Sequence, residues 1–592
     1  MKLLLLGLTG EEPSFTGWAE WLRGVGVPVD AVALRRRTEP LQFVRDDETV
    51  NYHAIILAEK DLLELAVEPS ERTLLAELEA RCGLRRLIAY AYPGADLGLE
   101  PPRASGPLEA VALTLTRAGQ AIFPYLNGAL PVDRGSWVHH ALPVDPDFCT
   151  LVSGPGGEAL VGIHRAPDGR ELMVQTFDST AVQAQGVLLR LGQLGWLTHG
   201  TFAGVHRHSL NVHVDDILLA NHSWRPDRHE TDRRPGAAMR MAPQDVRDVA
   251  AWSRARDLRL SFVCNGAGSL WSAAPGAVGA EPLLEALLAE RDAFHWINHT
   301  FGHADLAEMD RAGIEAEIRR NLDWAASVGI ALERRAVVTG EHSGLSDLVA
   351  VPPRAENSQL APALLDQGIR FVACDASKPY RTREGTKIAP GVPFPVGPAL
   401  AIPRRPTLLP HDAATPAQVL DRLRHHGGSW TSFRELVDTE AQRIFSLVAA
   451  GDPLPHVLHQ SNLIGARDAS TGAREPGTAC SLLDAVLQRI RGALVPDVPV
   501  LSQTMEEIGT HLLRLHWWRY AQEQGQVSLL LDGRYVHVVN ASAVPQTVPL
   551  TGVSAAERYG FSRSGWISVD PGETTFEREP WPAPPALRRT QA

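Results

Sequence analysis

Leu210-Asn211-Val212-His213-Val214-Asp215-Asp216 is the stretch from which the rest of the chain is best read. Leu210, Val212 and Val214 alternate with Asn211 and His213, the period of a strand, and the apolar run stops at Asp215. Inside a strand Asp215 and Asp216 would face opposite sides. Where the strand gives way to a loop, both can turn into one bowl. One acid can then bind a metal ion while its neighbour works as a general base on water activated by that ion. A helix N-cap or a turn is the other reading of such a pair.

Downstream stands His299-Thr300-Phe301-Gly302-His303. Two His four residues apart fall on one face of a helical turn, so both imidazoles can reach one ion. A carboxylate from elsewhere then completes a three-ligand site with an open position, as catalytic metal sites have. In a chain with 22 His, a solvated or capping pair is the competing reading. The combination with the acid pair points to hydrolysis. Hydrolysis at such a site needs donors or an ion for the charge that builds on the attacked oxygen, and an acid for the leaving group. His suits the second task because its pKa lies near neutrality.

Further segments extend the pattern: Asn298 to His303 followed by a helix with Asn321, then Thr339-Gly340-Glu341-His342-Ser343-Gly344-Leu345, Pro403-Arg404-Arg405-Pro406-Thr407 and His456-Val457-Leu458-His459-Gln460-Ser461-Asn462-Leu463. The order Asp-Asp, H-T-F-x-H, late His on a strand resembles the polysaccharide deacetylases of the NodB-homology type. More narrowly, residues 206 to about 510 are similar to the deacetylases that act on galactosaminogalactan. The resemblance implies a distorted, TIM-barrel-like β/α domain that removes acetyl groups from an N-acetylhexosamine polymer. It further implies Asp216, His299 and His303 as ligands of one divalent ion, Asp215 as base, His459 as general acid and Arg404 as the arginine that orients the base. Zinc fits two imidazoles and a carboxylate.

Glu341-His342 follows the strand Ala336-Val337-Val338-Thr339 and so belongs on the same rim of such a barrel. It can touch sugar hydroxyls or steady a ligand His through an outer hydrogen bond, and a helix-capping role is equally open. Asp375, after Phe371-Val372-Ala373, carries the same alternatives.

The N-terminal region, residues 1–205, alternates strands (Lys2 to Leu8, Val29 to Leu34, Ala54 to Ala58, Leu87 to Tyr90) with helices (Phe15 to Val25, around Arg72 to Arg81). That predicts an open α/β domain of flavodoxin or amidotransferase type. No G-x-G-x-x-G follows its first strand and no Cys sits at a nucleophile turn, so an accessory domain is expected. Hairpin signals at Pro155-Gly156-Gly157 and Pro167-Asp168-Gly169 precede a helix from Ala181 to about Leu197. The catalytic domain is set at 206–524, with Asn221 to Ala237 a long loop beside the site. A stripe of Met505, Ile508, Leu512 and Leu515 runs into Trp517-Trp518, of which at least one is expected in the core. Residues 525–592 predict a small β-sandwich ending in a Pro-rich tail, Pro580 to Pro585.

At 592 residues the chain exceeds a single core. Its net charge of -12 and scattered basic residues argue against a nucleic-acid partner, and the resemblance implies a carbohydrate substrate. Five scattered Cys without C-x-x-C spacing predict buried thiols rather than disulfides. Met1 to Leu8 has a short apolar run leading into Glu11-Glu12, which reads as a first buried strand rather than an export signal. The sequence therefore predicts a cytoplasmic protein, whereas the resemblance favours the exterior or cell surface. No segment has transmembrane length, and oligomeric state is open. Two other functions fit the residues: a carbohydrate-binding protein on a degenerate deacetylase barrel, or a cytoplasmic amidohydrolase of a small N-acylated metabolite.

Overall fold

A computed structural model describes residues 1–45, 49–270, 281–467 and 474–579. The Pro-rich tail lies outside the described residues. Seven parallel strands form a closed barrel: β1 (Val212–Asp215), β2 (Ser261–Cys264), β3 (His295–Asn298), β4 (Ala336–Val337), β5 (Phe371–Asp375), β6 (Ala399–Pro406) and β7 (His456–His459). Each pairs with the next, and β7 returns to β1 in the register Asp215↔His459. Ser-Phe-Val-Cys of β2 is buried along its whole length, as a strand packed on both faces requires. The barrel predicted from the resemblance is therefore present. The acids and the His run sit at its carboxyl end, where β/α barrels carry their sites.

Residues 1–200 build a nine-stranded sheet on the far side of the barrel's helices. Strands Val29–Ala33, Leu3–Gly7, Ala54–Leu57 and Arg85–Ile88 run parallel in that spatial order, and Glu171–Gln175 joins them in parallel. The two expected hairpins then continue the same sheet in antiparallel fashion, turning at Gly157 (φ 84°) and Gly169 (φ 89°). The open α/β expectation thus holds for one half of a mixed sheet. All five residues of Leu3–Gly7, the second strand from one edge, are buried.

The accessory domain is not loosely attached. Every residue of the Ala184–Leu197 helix is buried, including Arg190, whose guanidinium donates to the carbonyls of Thr180 (2.6 Å) and Ala181 (3.3 Å). The helix packs against the Phe433–Ala450 helix of the barrel, and one hydrophobic core runs from Leu5 and Ile56 through Leu188 and Leu194 to Ile444, Phe445 and Val486. A chain begun at residue 206 would leave that barrel face in water, at roughly 25 cal/mol per Å² of apolar surface. Such a chain is expected to aggregate, while the full protein remains soluble. Recovery of a soluble, cooperatively unfolding 206–592 fragment would contradict the shared core.

At the C-terminus the sheet of Val527–Asp532, Tyr535–Asn540 and Gly572–Glu577 faces a second sheet of Gln546–Thr551, Ser562–Val569 and Arg558–Tyr559. Leu529, Val536 and Val538 meet Val548, Leu550 and Val569 between them, which is the expected sandwich. The second sheet also takes in Phe202–Ala203, which the sequence reading had grouped with the N-terminal domain. Trp518 is core, donating its indole N–H to the Gly26 carbonyl (2.7 Å), whereas Trp517 is exposed. Of the five free thiols, Cys264, Cys374 and Cys480 are buried and Cys149 partly so. Cys82 is exposed, against expectation, because it ends the Pro69–Cys82 helix at the surface. Among the described residues no helix is long and apolar enough to cross a membrane.

Candidate active site

Asp215 is the last residue of β1, and Asp216, immediately after it, adopts a left-handed backbone (φ 63°). That turn replaces the strand's alternation and brings the second acid to the same side as the first. The His run departs from the helical turn expected of it. Residues 299–303 form a loop beyond β3, with Thr300 (φ 60°) and His303 (φ 57°) both left-handed. The two imidazoles nevertheless converge, with ring centroids 4.8 Å apart at 87°. Glu341 (φ 55°) and His342 (φ 54°) add two more left-handed residues on the β4 rim. Such backbone costs of order 1–3 kcal/mol per residue and persists only where surrounding structure enforces it.

Buried amides do the enforcing. Asn298 accepts from the Thr300 N–H (2.9 Å) and from Asn321 Nδ2 (2.8 Å), while Asn321 also donates to the Cys264 carbonyl and accepts from the Gly266 N–H. Asn265 Nδ2 donates to the His299 carbonyl (2.5 Å). His299 Nδ1 meets the Val338 carbonyl at 2.9 Å. A carbonyl only accepts, so Nδ1 carries the proton and the Nε2 lone pair is left facing Asp216.

His299 Nε2 and His303 Nε2 lie 3.5 and 3.6 Å from the same oxygen, Asp216 Oδ1. That oxygen is buried without any hydrogen-bond partner. A buried carboxylate oxygen left bare is costly, and donors arranged tetrahedrally about 2 Å from one ion stand roughly 3.3 Å apart. Asp216, His299 and His303 thus have the spacing and donor types of a zinc-type triad. Burial works against the charge on His299, but the neighbouring Asp216 and Asp215 outweigh it and raise its pKa. Burial lowers that of His303.

Gly340 is close-packed on His303: a Cβ there would lie 2.9 Å from Nδ1 and 3.1 Å from Cε1. Gly340→Ala is accordingly expected to rotate the His303 ring and weaken any metal ion's binding to this group by at least 10-fold, within the range lost when support of a ligand is removed. Zinc titration of the variant, compared with its thermal midpoint, separates this from general destabilisation.

Asp215 is engaged differently. Arg404 on β6, 1% exposed at its side chain, donates from Nη1 to Oδ1 (2.7 Å) and from Nη2 to Oδ2 (2.9 Å). Burial pushes the Asp215 pKa up, but Arg404 overrides it and holds the carboxyl well below its usual range. His342 Nε2 accepts from Arg404 (2.7 Å to Nη2). His342 therefore supports the arginine that holds the acid and does not steady a ligand His. Burial and the Arg404 charge keep it neutral.

His459 is the cross-strand neighbour of Asp215, and its own pKa is lowered by burial, partly offset by Asp215 and Asp216. The His411 ring stands 5.4 Å from it. Two further expected residues stand at strand ends on the same rim. Asp375 Oδ1 accepts from the backbone N–H and hydroxyl of Ser377, a turn-capping role, and Glu341 is exposed on the rim. The predicted loop 221–237 contains a hairpin, Ser223–Arg225 with Glu230–Asp232, anchored by Trp224 Nε1 to Asp421 (2.8 Å). Asn221, Asn265, Gln460 and Gly340 were missed as parts of the site by sequence reasoning. Only Gln460 and Gly340, inside quoted motifs, carried any signal.

Residues 279–529 match the family model of the Agd3 deacetylase domain. His299, His303, Arg404 and His459 fall inside the match, and Asp215 and Asp216 precede it. The whole chain also aligns with the crystal structure of Agd3, described as a novel carbohydrate deacetylase, at a TM-score of 0.81 and 17% identity, covering 98% of each chain. At that identity the likeness speaks for the fold, and it spans all three regions. A family 4 carbohydrate esterase from Streptomyces lividans (11% identity, 48% of this chain and 90% of that one, TM-score 0.25) is too distant to carry an argument. So is a putative polysaccharide deacetylase from Mycobacterium smegmatis (14%, 52% and 91%, 0.29). No curated protein matches the chain. The match supports the polysaccharide deacetylase that the segments quoted from residues 206 to 510 led us to expect.

Proposed function

We propose that the protein removes acetyl groups from an N-acetylhexosamine polysaccharide or oligosaccharide, one containing N-acetylgalactosamine, and that it does so with one divalent ion, zinc by preference. The observation that carries the metal is the bare Asp216 Oδ1, buried and facing two imidazole nitrogens at 3.5 and 3.6 Å. When bound there, the ion would polarise the acetyl carbonyl and make water more acidic. Asp215, held in one orientation by Arg404, accepts the proton of the attacking water. His459, beside Asp215 across β1 and β7, takes up a proton from solvent to become imidazolium, gives it to the amine nitrogen as the C–N bond breaks and returns to the neutral form. The intact triad favours this over a degenerate, binding-only barrel.

Acetate release from N-acetylgalactosamine and N-acetylglucosamine oligomers of matched length tests the substrate. Faster release from oligomers containing N-acetylgalactosamine supports the proposal. Hydrolysis confined to small N-acylated metabolites would overturn it.

A further inference from the structure

Asp216 gives one oxygen to the two histidines and the other to Asn221, whose Nδ2 donates to Oδ2 at 2.8 Å. An amide side chain can point either way, so something must turn its NH2 toward the acid. That something is Gln460. Its Nε2 donates to Asn221 Oδ1 (2.8 Å) and to the Met239 carbonyl (2.9 Å), while its Oε1 accepts from the Met241 N–H (2.8 Å). A carbonyl can only accept and a backbone N–H only donate, so a single orientation of Gln460 satisfies both. In that orientation it presents N–H to Asn221, which leaves the Asn221 NH2 for Asp216. The frame is closed by paired backbone bonds between Asn221 and Met239 (2.8 and 2.7 Å). Gln460 is fully buried and Asn221 nearly so, leaving no water to substitute for a lost partner.

We infer that Asn221 and Gln460 are positioning residues that hold Asp216 to a one-oxygen role, with Oδ1 presented to the ion and Oδ2 withheld. Because Gln460 directly follows His459, the same relay ties the ligand carboxylate after β1 to the strand that bears the proton carrier. The inference rests on the metal-site reading above. It adds that coordination geometry is fixed by two neutral amides whose direction is dictated by backbone groups at 239 and 241.

Zinc titration of the metal-free full-length protein against a chromophoric chelator tests it, with circular dichroism to establish folding. Asn221→Ala is expected to bind zinc roughly 10- to 100-fold more weakly than wild type. Gln460→Glu cannot donate to Asn221, which then turns its NH2 outward and its oxygen toward Asp216. It should weaken zinc more than Gln460→Met, which removes the partner without reversing the amide. A role in packing alone predicts that the two Gln460 variants lose affinity alike. Cobalt substitution gives a second readout. Freeing Oδ2 in Asn221→Ala should raise the coordination number and dim the visible absorption of four-coordinate cobalt. A folded Asn221→Ala with wild-type zinc affinity and cobalt spectrum would overturn the inference and leave the metal site standing. Failure of the wild type to bind zinc would overturn the metal site and the inference with it.

Discussion

Asp215→Asn is expected to keep its zinc and lose most of its rate, by roughly 10²- to 10⁴-fold in kcat, the usual cost of removing a general base. Metal should stay because the ligand oxygen belongs to Asp216 and Asp215 is committed to Arg404 instead. The same substitution has a structural cost. Arg404 is nearly inaccessible to water, and breaking a buried ion pair by removing one partner costs about 3–5 kcal/mol. The variant should therefore also unfold at lower denaturant, so kcat has to be referred to folded protein. Zinc content, denaturant midpoint and acetate release together decide the matter. Loss of metal with activity would exchange the roles of the two acids, and full stability with low activity would show that the pair with Arg404 contributes nothing to folding.

His459→Ala is the second large effect. An amine leaves poorly unless protonated, whereas a phenolate leaves as a stabilised anion. The variant should bind zinc and oligosaccharide nearly as wild type, hydrolyse the N-acetyl group at least 10²-fold more slowly, and hydrolyse an activated phenyl acetate with far smaller loss. The lowered pKa of His459 means that it rests neutral and must acquire its proton during the reaction, which the neighbouring carboxylates favour once it is charged. Equal losses on ester and amide would place His459 on the side of the attacking water or in substrate binding, and another residue would have to supply the amine's proton.

Much of this was legible in the sequence because the barrel leaves strong local marks. Val212 to Asp215 alternates and stops at an acid, and the apolar pair Val457-Leu458 stops at His459, so strand ends and their polar residues could be read without knowing the pairing. The spacing of His299 and His303 was also informative, although for the wrong local reason. A helical turn would place the rings together, but here two left-handed residues do so, with Asn298, Asn321 and Asn265 holding the backbone at His299 and Thr300. Left-handed conformation at Thr and His runs against local propensity, and tertiary hydrogen bonds impose it.

The outer layer of the site was illegible for a related reason. Asn221 lies in a polar stretch that reads as loop, and nothing in its neighbours reveals that it will be buried against Asp216 or oriented by a glutamine 239 residues away. Nor does any periodicity show that residues 184–197 will be enclosed on all sides, since a helix buried all round is recognised by what packs on it. Asp375 and Glu341 followed strands as Asp216 and His459 did. Only the pairing of β5 with β6 shows that Arg404, and not Asp375, reaches across to the acid.

The central claim is a single metal held by Asp216, His299 and His303. Elemental analysis of wild type and His299→Ala, purified in parallel from zinc-supplemented medium and dialysed against the same buffer, tests it most directly. The account predicts about one zinc per wild-type chain and almost none in the folded variant, as loss of one of three ligands demands. Equal metal content in the two proteins would contradict it.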